Sequence, residues 1–175
     1  MKQSLTKYAL LFLVLVSGCG IDLQTKDWAT DNLRYFQAKE VIPNWFDLRY
    51  AENTGVAFSF LQDANSAWRM PVIFGGVLLS AALVFYLFWQ WRRQKFMVLL
   101  PLALILSGAF GNFIDRLMNG YVVDFFHFHY SYEYNFPIFN VADVLVFSGV
   151  VLMLIQYYRG KINWEESDLS SQIPT

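Results

Sequence analysis

Asp124 and Asp143 are two carboxylates in a largely apolar stretch of chain, with amide and guanidinium groups close by: Asn112 and Arg116 precede the first, and Asn140 precedes the second. Asn112 and Arg116 stand at i, i+4 and Asn140 and Asp143 at i, i+3, so each pair shares a face if its segment is helical. Two carboxylates close together in a poorly hydrated site cannot both ionise easily, so the pair shares a proton. Such a pair suits hydrolysis of an amide by water. The ionised member takes a proton from water while the protonated one polarises the carbonyl, and the roles then exchange. The same residues admit other readings. Either aspartate could cap a helix or pair with Arg116, and intramembrane acids also handle ions. A non-enzymatic carrier or assembly factor using Asp124, Asp143 and Arg116 for protons or ions fits the pattern too.

The elements that must position these groups are membrane spans. The chain is 56% hydrophobic and only 15% charged, beyond the apolar content of ordinary soluble domains. Crossing the hydrocarbon core takes roughly 20 apolar residues, which predicts spans over about 4–23, 71–91, 96–114 and 139–158. Together they form a single integral membrane domain over 1–163, followed by a polar tail at 164–175. Lys2 and Lys7, then Arg92, Arg93 and Lys95, then Arg159 and Lys161, lie at alternate span ends, which the positive-inside rule assigns to the cytoplasm. Both termini are then cytoplasmic. The segments after the first and third spans face outward, and Asp22, Asn112, Asp115, Arg116, Asn140 and Asp143 lie at outward helix ends, with Asp124 in the loop between.

In the first outward segment Phe46, Leu48 and Tyr50 alternate with Asp47 and Arg49, a half-buried strand pattern. Asn53-Thr54-Gly55 is a turn signal, and Val56, Phe58 and Phe60 then alternate as a second strand. A small antiparallel sheet is the expected result. The second outward segment carries nine aromatic residues between Tyr121 and Phe139 and reads as an interfacial loop with an aromatic belt. His127 and His129 would share a face of any extended segment and, with Asp124 nearby, could ligate zinc. There is no HExxH, and the expectation is no metal. The single Cys19 excludes an internal disulfide. "VSGC", ending at Cys19, resembles a lipidation signal, yet the run before it also suits a retained first helix with Asp22 and Lys26 at its mouth.

Four segments, "IDLQTK", "YAENTGVAFSFL", "GAFGNFIDRLMNGYVVDF" and "FNVADVLVFSG", resemble in order and spacing those of bacterial lipoprotein signal peptidases, and the likeness covers all but the tail. The resemblance implies an α-helical polytopic membrane protein with four transmembrane helices, a small outward-facing β-sheet cradle and an interfacial loop. It implies an aspartyl endopeptidase of the bacterial inner membrane, working near the periplasmic face without a cofactor. The substrates would be diacylglyceryl-modified prolipoproteins, cut just before the lipidated cysteine, with membrane lipids as the other partners and no nucleic acid. Asp124 and Asp143 would be the catalytic pair. Asn53, Gly55, Asn112, Arg116 and Asn140 would bind substrate or support the pair, and Asp22 would hold helix ends together. Continuity of the likeness across Cys19 favours the retained helix.

Overall fold

The computed structural model describes residues 2–36, 38–55, 66–131 and 133–160. Among these residues four α-helices, α1 (Lys2–Leu33), α2 (Ser66–Trp91), α3 (Phe96–Asn119) and α4 (Val141–Tyr158), carry a four-stranded antiparallel sheet of β1 (Lys39–Ile42), β2 (Phe46–Asn53), β3 (Val122–Tyr130) and β4 (Tyr134–Asn135), in that order across the sheet. All four helices are long and apolar enough to cross a membrane. Helix α3 is central and packs against α1, α2 and α4. Leu11, Val84, Trp91, Val98, Leu99 and Leu102 form its apolar core, while Phe12, Leu13, Leu79, Phe85 and Phe147 point outward, as lipid-facing side chains must.

Helices in lipid gain little from apolar contact with one another, so close approach and hydrogen bonds decide how they pack. A Cβ added at Gly108 would collide with the Ala142 carbonyl of α4. Pro101 lacks an N–H and cannot bond the carbonyl four residues back. Gln156 of α4 takes that place, its Nε2 donating to the Met97 carbonyl at 2.6 Å. At the same end, Lys7 Nζ donates to the carbonyls of Arg92 and Gln94 at 2.8 and 2.9 Å, and Tyr8 donates to that of Arg92 at 2.8 Å. The basic flanks thus gather at one end of the bundle and the sheet lies at the other.

Two expectations change. Helix α1 continues to Leu33, ten residues past the expected end, so Asp22 and Lys26 lie within the helix and not at its mouth. Lys26 pairs with Asp22 at i, i+4, which removes the reason to stop the helix there. The segment after α3, expected as an interfacial loop, forms strands β3 and β4. Val122 to Phe125 are all buried, and Phe125 packs with Ala29 and Leu33 of α1. Its apolar residues fall on both faces of a strand, so alternation could not reveal it. The expected antiparallel sheet is formed, with β2 pairing with β1 and β3 among the described residues. The alternation of Val56, Phe58 and Phe60, like the tail 164–175, lies outside the described residues.

A bulge in β2 decides what meets Asp124. Phe46 and Leu48 stand opposite Phe128 and Phe126, but past an irregularity between Leu48 and Ala51 the partners are Ala51 with Asp124 and Asn53 with Val122. One extra residue flips the later side chains of β2 to the other face. Asn53 thereby joins Asp124.

Candidate active site

Asp124 sits on β3 and is 2% exposed. Asn53 Nδ2 donates to its Oδ2 at 3.0 Å, and Asn140 Nδ2 donates to its Oδ1 at 2.6 Å. Asn140 is held beside it because Phe139 bonds Phe126 in both directions, its N–H donating at 3.1 Å and its carbonyl accepting at 2.8 Å. Asn140 is also the N-cap of α4: its Oδ1 accepts from the Asp143 amide at 3.0 Å, and its own N–H donates to Asp143 Oδ2 at 3.2 Å. This capping box places Asp143 in the first turn, where the helix N-terminus favours a carboxylate. The other oxygen, Asp143 Oδ1, accepts from Asn112 Nδ2 at 2.9 Å. Each aspartate is thus bound to Asn140, and each oxygen retains a second lone pair for a further partner.

Asn112 lies between the acids and a buried cation. Its Oδ1 accepts from Asn140 Nδ2 at 3.1 Å and from Lys26 Nζ at 2.8 Å. Lys26 is 2% exposed and also meets Asp22 Oδ2 at 2.7 Å and Asp115 Oδ2 at 3.2 Å. An ammonium has three N–H donors, and three acceptors surround it. The two acids in turn hold the backbone. Asp22 Oδ1 accepts from the Ala142 amide at 2.7 Å, and Asp115 Oδ2 accepts from the Val123 amide at 3.1 Å. Helix α1 is therefore tied to the starts of β3 and α4. Gly111 makes room for this, because a Cβ there would overlap the Asp22 carboxylate.

Arg116 reaches the turn after β2. Its Nη2 donates to the Gly55 carbonyl at 2.7 Å and Nη1 to that of Asn112 at 3.2 Å, and the Gly55 N–H donates to Asn53 Oδ1 at 3.0 Å. Arg116 so secures the turn that sends Asn53 to Asp124. Burial and the neighbouring Asp143 carboxylate push the Asp124 carboxyl up to about 7, against the opposing effect of the Asn53 and Asn140 donors. Near neutral pH a proton is available at this site.

Asp124, Asp143, Asn53, Gly55, Asn112, Arg116 and Asn140 form one hydrogen-bonded network, which Asp22 joins through Lys26. The histidines do not. His127 stands opposite Asp47, on the face of β3 away from Asp124, so the grouping of Asp124 with His127 and His129 is not formed. Lys26 and Asp115 are central to the network yet had no site role by sequence. The signal for Lys26 was its i, i+4 spacing from Asp22 on a helix read as too short.

The signal peptidase (SPase) II family model matches residues 13–159. The lipoprotein signal peptidase of Clostridium tetani (strain Massachusetts / E88) is 41% identical over 143 residues, covering 82% of this chain and 88% of that protein. That of Syntrophotalea carbinolica is 35% identical over 163 residues, covering 91% and 98%. A solved structure described as a bacterial membrane enzyme superposes with a TM-score of 0.73 at 27% identity, covering 90% of this chain and 93% of its own. With the family matched across most of its length and both acids inside the match, this chain belongs to the signal peptidase II family and is a multi-pass membrane peptidase.

Proposed function

We propose that the chain is an aspartyl endopeptidase that removes the signal peptide from diacylglyceryl-modified prolipoproteins, cutting just before the lipidated cysteine. The observation that carries the mechanism is Asn140, whose side chain and backbone hold the buried Asp124 and the half-buried Asp143 at one site. Relatives named lipoprotein signal peptidase support the substrate class. Asp124 donates its proton to the scissile carbonyl as Asp143 takes one from the attacking water. The tetrahedral intermediate collapses when a proton passes to the leaving amine, and the acids return to their starting state. Asn53 fixes the Asp124 carboxyl, while Asn112 and Asn140 orient Asp143. No step uses a cofactor. Membership of a peptidase family leaves the carrier reading without support.

We place the protein in the bacterial inner membrane as one domain through about residue 163, with the basic helix ends and both termini cytoplasmic and the sheet at the periplasmic face. The retained first helix belongs to this reading: "VSGC" lies inside α1, where Ser107 Oγ donates to the Leu15 carbonyl at 3.0 Å. The test is cleavage of a purified diacylglyceryl precursor, with the unlipidated precursor as control. Equal cleavage of both would overturn the substrate assignment.

Two outcomes are expected of the same assay. With Asp124 as the acid, kcat/KM falls as pH rises through about 7, on the order of tenfold per pH unit on the alkaline limb. A profile flat to pH 9 would remove Asp124 from that role. Arg116→Ala loses charge-assisted bonds worth roughly 1.5–3 kcal/mol and frees the Gly55 turn. It should lower kcat/KM by about 10- to 100-fold, and an unchanged value at limiting substrate would take Arg116 out of the site.

A further inference from the structure

The face of the sheet opposite Asp124 carries a second cluster of ionisable groups that the peptidase reaction does not use. Asp47, His127 and His129 are 0%, 3% and 4% exposed, so the cluster is cut off from bulk water. The strand register builds it. Asp47 on β2 stands directly opposite His127 on β3, and His129, two residues on, shares that face. His127 Nδ1 lies 2.9 Å and His129 Nε2 3.6 Å from the two Asp47 oxygens. The imidazoles are nearly parallel, with centroids 5.1 Å apart. One nitrogen from each ring and one carboxylate oxygen all lie within 4.8 Å of one another.

We propose that Asp47, His127 and His129 form a divalent transition-metal site, of zinc type, that clamps β2 to β3 behind the active site. Two imidazoles and one carboxylate are a zinc donor set, and bonds of about 2.0–2.1 Å in tetrahedral array separate donors by roughly 3.3 Å. The contacts of 2.9 Å to Oδ1 and 3.6 Å to Oδ2 lie on either side of that separation, and with one atom from each residue within 4.8 Å of the others, small side-chain shifts bring the three donors onto one ion. Water completes the coordination. Arg49 Nη2 is 3.4 Å from Asp47 Oδ2, and its side chain is 42% exposed. A carboxylate oxygen has two lone pairs, so Asp47 can keep this neighbour while ligating, or Arg49 can turn to solvent. Glu40, opposite Asp47 on β1, caps the Asn44 amide at 2.9 Å and is not needed as a ligand. The metal is structural in this scheme. It fixes the strand pair just before the β2 bulge, and beyond the bulge the same two strands present Asn53 and Asp124 to each other.

The test uses the full chain without a histidine tag, in detergent, stripped with a chelator and then titrated with zinc alone. One zinc per chain should survive desalting, and zinc should raise the unfolding temperature. His129→Gln and Asp47→Asn should each weaken binding by more than the roughly 10- to 100-fold that loss of an outer-shell partner costs. Cobalt in place of zinc should give the visible bands of a four-coordinate ion, lost in His127→Gln, so that spectroscopy carries the test should Asp47→Asn fail to fold. Asp124→Asn should bind zinc like the wild type. If the wild type retains no zinc, or if His129→Gln retains as much, the cluster is not a metal site and the proposal is overturned. Loss of zinc in Asp124→Asn with retention in His129→Gln would place the ion at the peptidase site and overturn the proposal equally.

Discussion

Asp124→Asn and Asp143→Asn each yield a folded protein that no longer processes a lipidated precursor at a measurable rate. A positioned general acid or base contributes roughly 10²–10⁴-fold, and here one missing carboxyl disables both roles because the two exchange protons. The effects therefore do not add, and the double variant should be no slower than either single one. Folding is the control, and Asp124 gives it a sign. Its unfolded carboxyl titrates near 3.8 and its folded one near 7, so between these values the folded state holds a proton that the unfolded state has lost. Stability contributed by the protonated carboxyl is complete below pH 3.8 and lost as pH rises toward 7. At ~1.4 kcal/mol per pH unit the loss is roughly 4 kcal/mol. Asn cannot ionise, so the unfolding temperature of Asp124→Asn should gain on that of the wild type from pH 4 to pH 7. Substantial processing by either single variant would refute the dyad, and a difference that does not change with pH would refute the buried, proton-holding Asp124.

That the acids meet was legible in the sequence for a local reason. Asn112 and Arg116 end one helix and Asn140 and Asp143 begin the next, so the single outward connection between the two spans puts these ends at the same membrane level whatever its own structure. The network behind them was not legible in the same way. Lys26 looked like an end-of-span charge because hydropathy treats Asp22 and Lys26 as two costs, whereas an i, i+4 ion pair buries both inside a continuing helix. The sheet's strand pairing was not legible for two reasons. Strand β3 has apolar residues on both faces, and β2 changes face at a bulge that no composition signal marks. Those same features put His127 and His129 with Asp47, whereas proximity in sequence suggested Asp124. Hydropathy and helical spacing thus report which helix ends meet, but not strand partnership, which depends on a register set by residues distant along the chain.

Lys26→Met is the second large effect, and it separates folding from chemistry. The ammonium offsets one of the two charges of Asp22 and Asp115 and bonds both where neither meets water, and removing one member of a buried ion pair costs about 3–5 kcal/mol because the partner is left uncompensated. Met keeps the length and apolar stem of the side chain, so the loss measures charge more than packing. Destabilisation of that order should appear as a lower unfolding temperature in detergent. Activity should fall further than the folded fraction does, since Asn112 loses the charged and shorter of the two donors to its Oδ1, keeping only Asn140 Nδ2, and a flipped amide would turn an oxygen toward Asp143 Oδ1. Adding Asp22→Asn distinguishes the two consequences. The double variant Asp22→Asn/Lys26→Met again holds a single uncompensated charge, as the wild-type trio does, so much of the stability should return. Asn112 remains without its lysine, and cleavage should stay low. Recovery of both stability and cleavage in the double variant would mean that Lys26 only balances charge. A single Lys26→Met variant as stable and active as the wild type would mean that the ion cluster holds neither the helices nor the dyad.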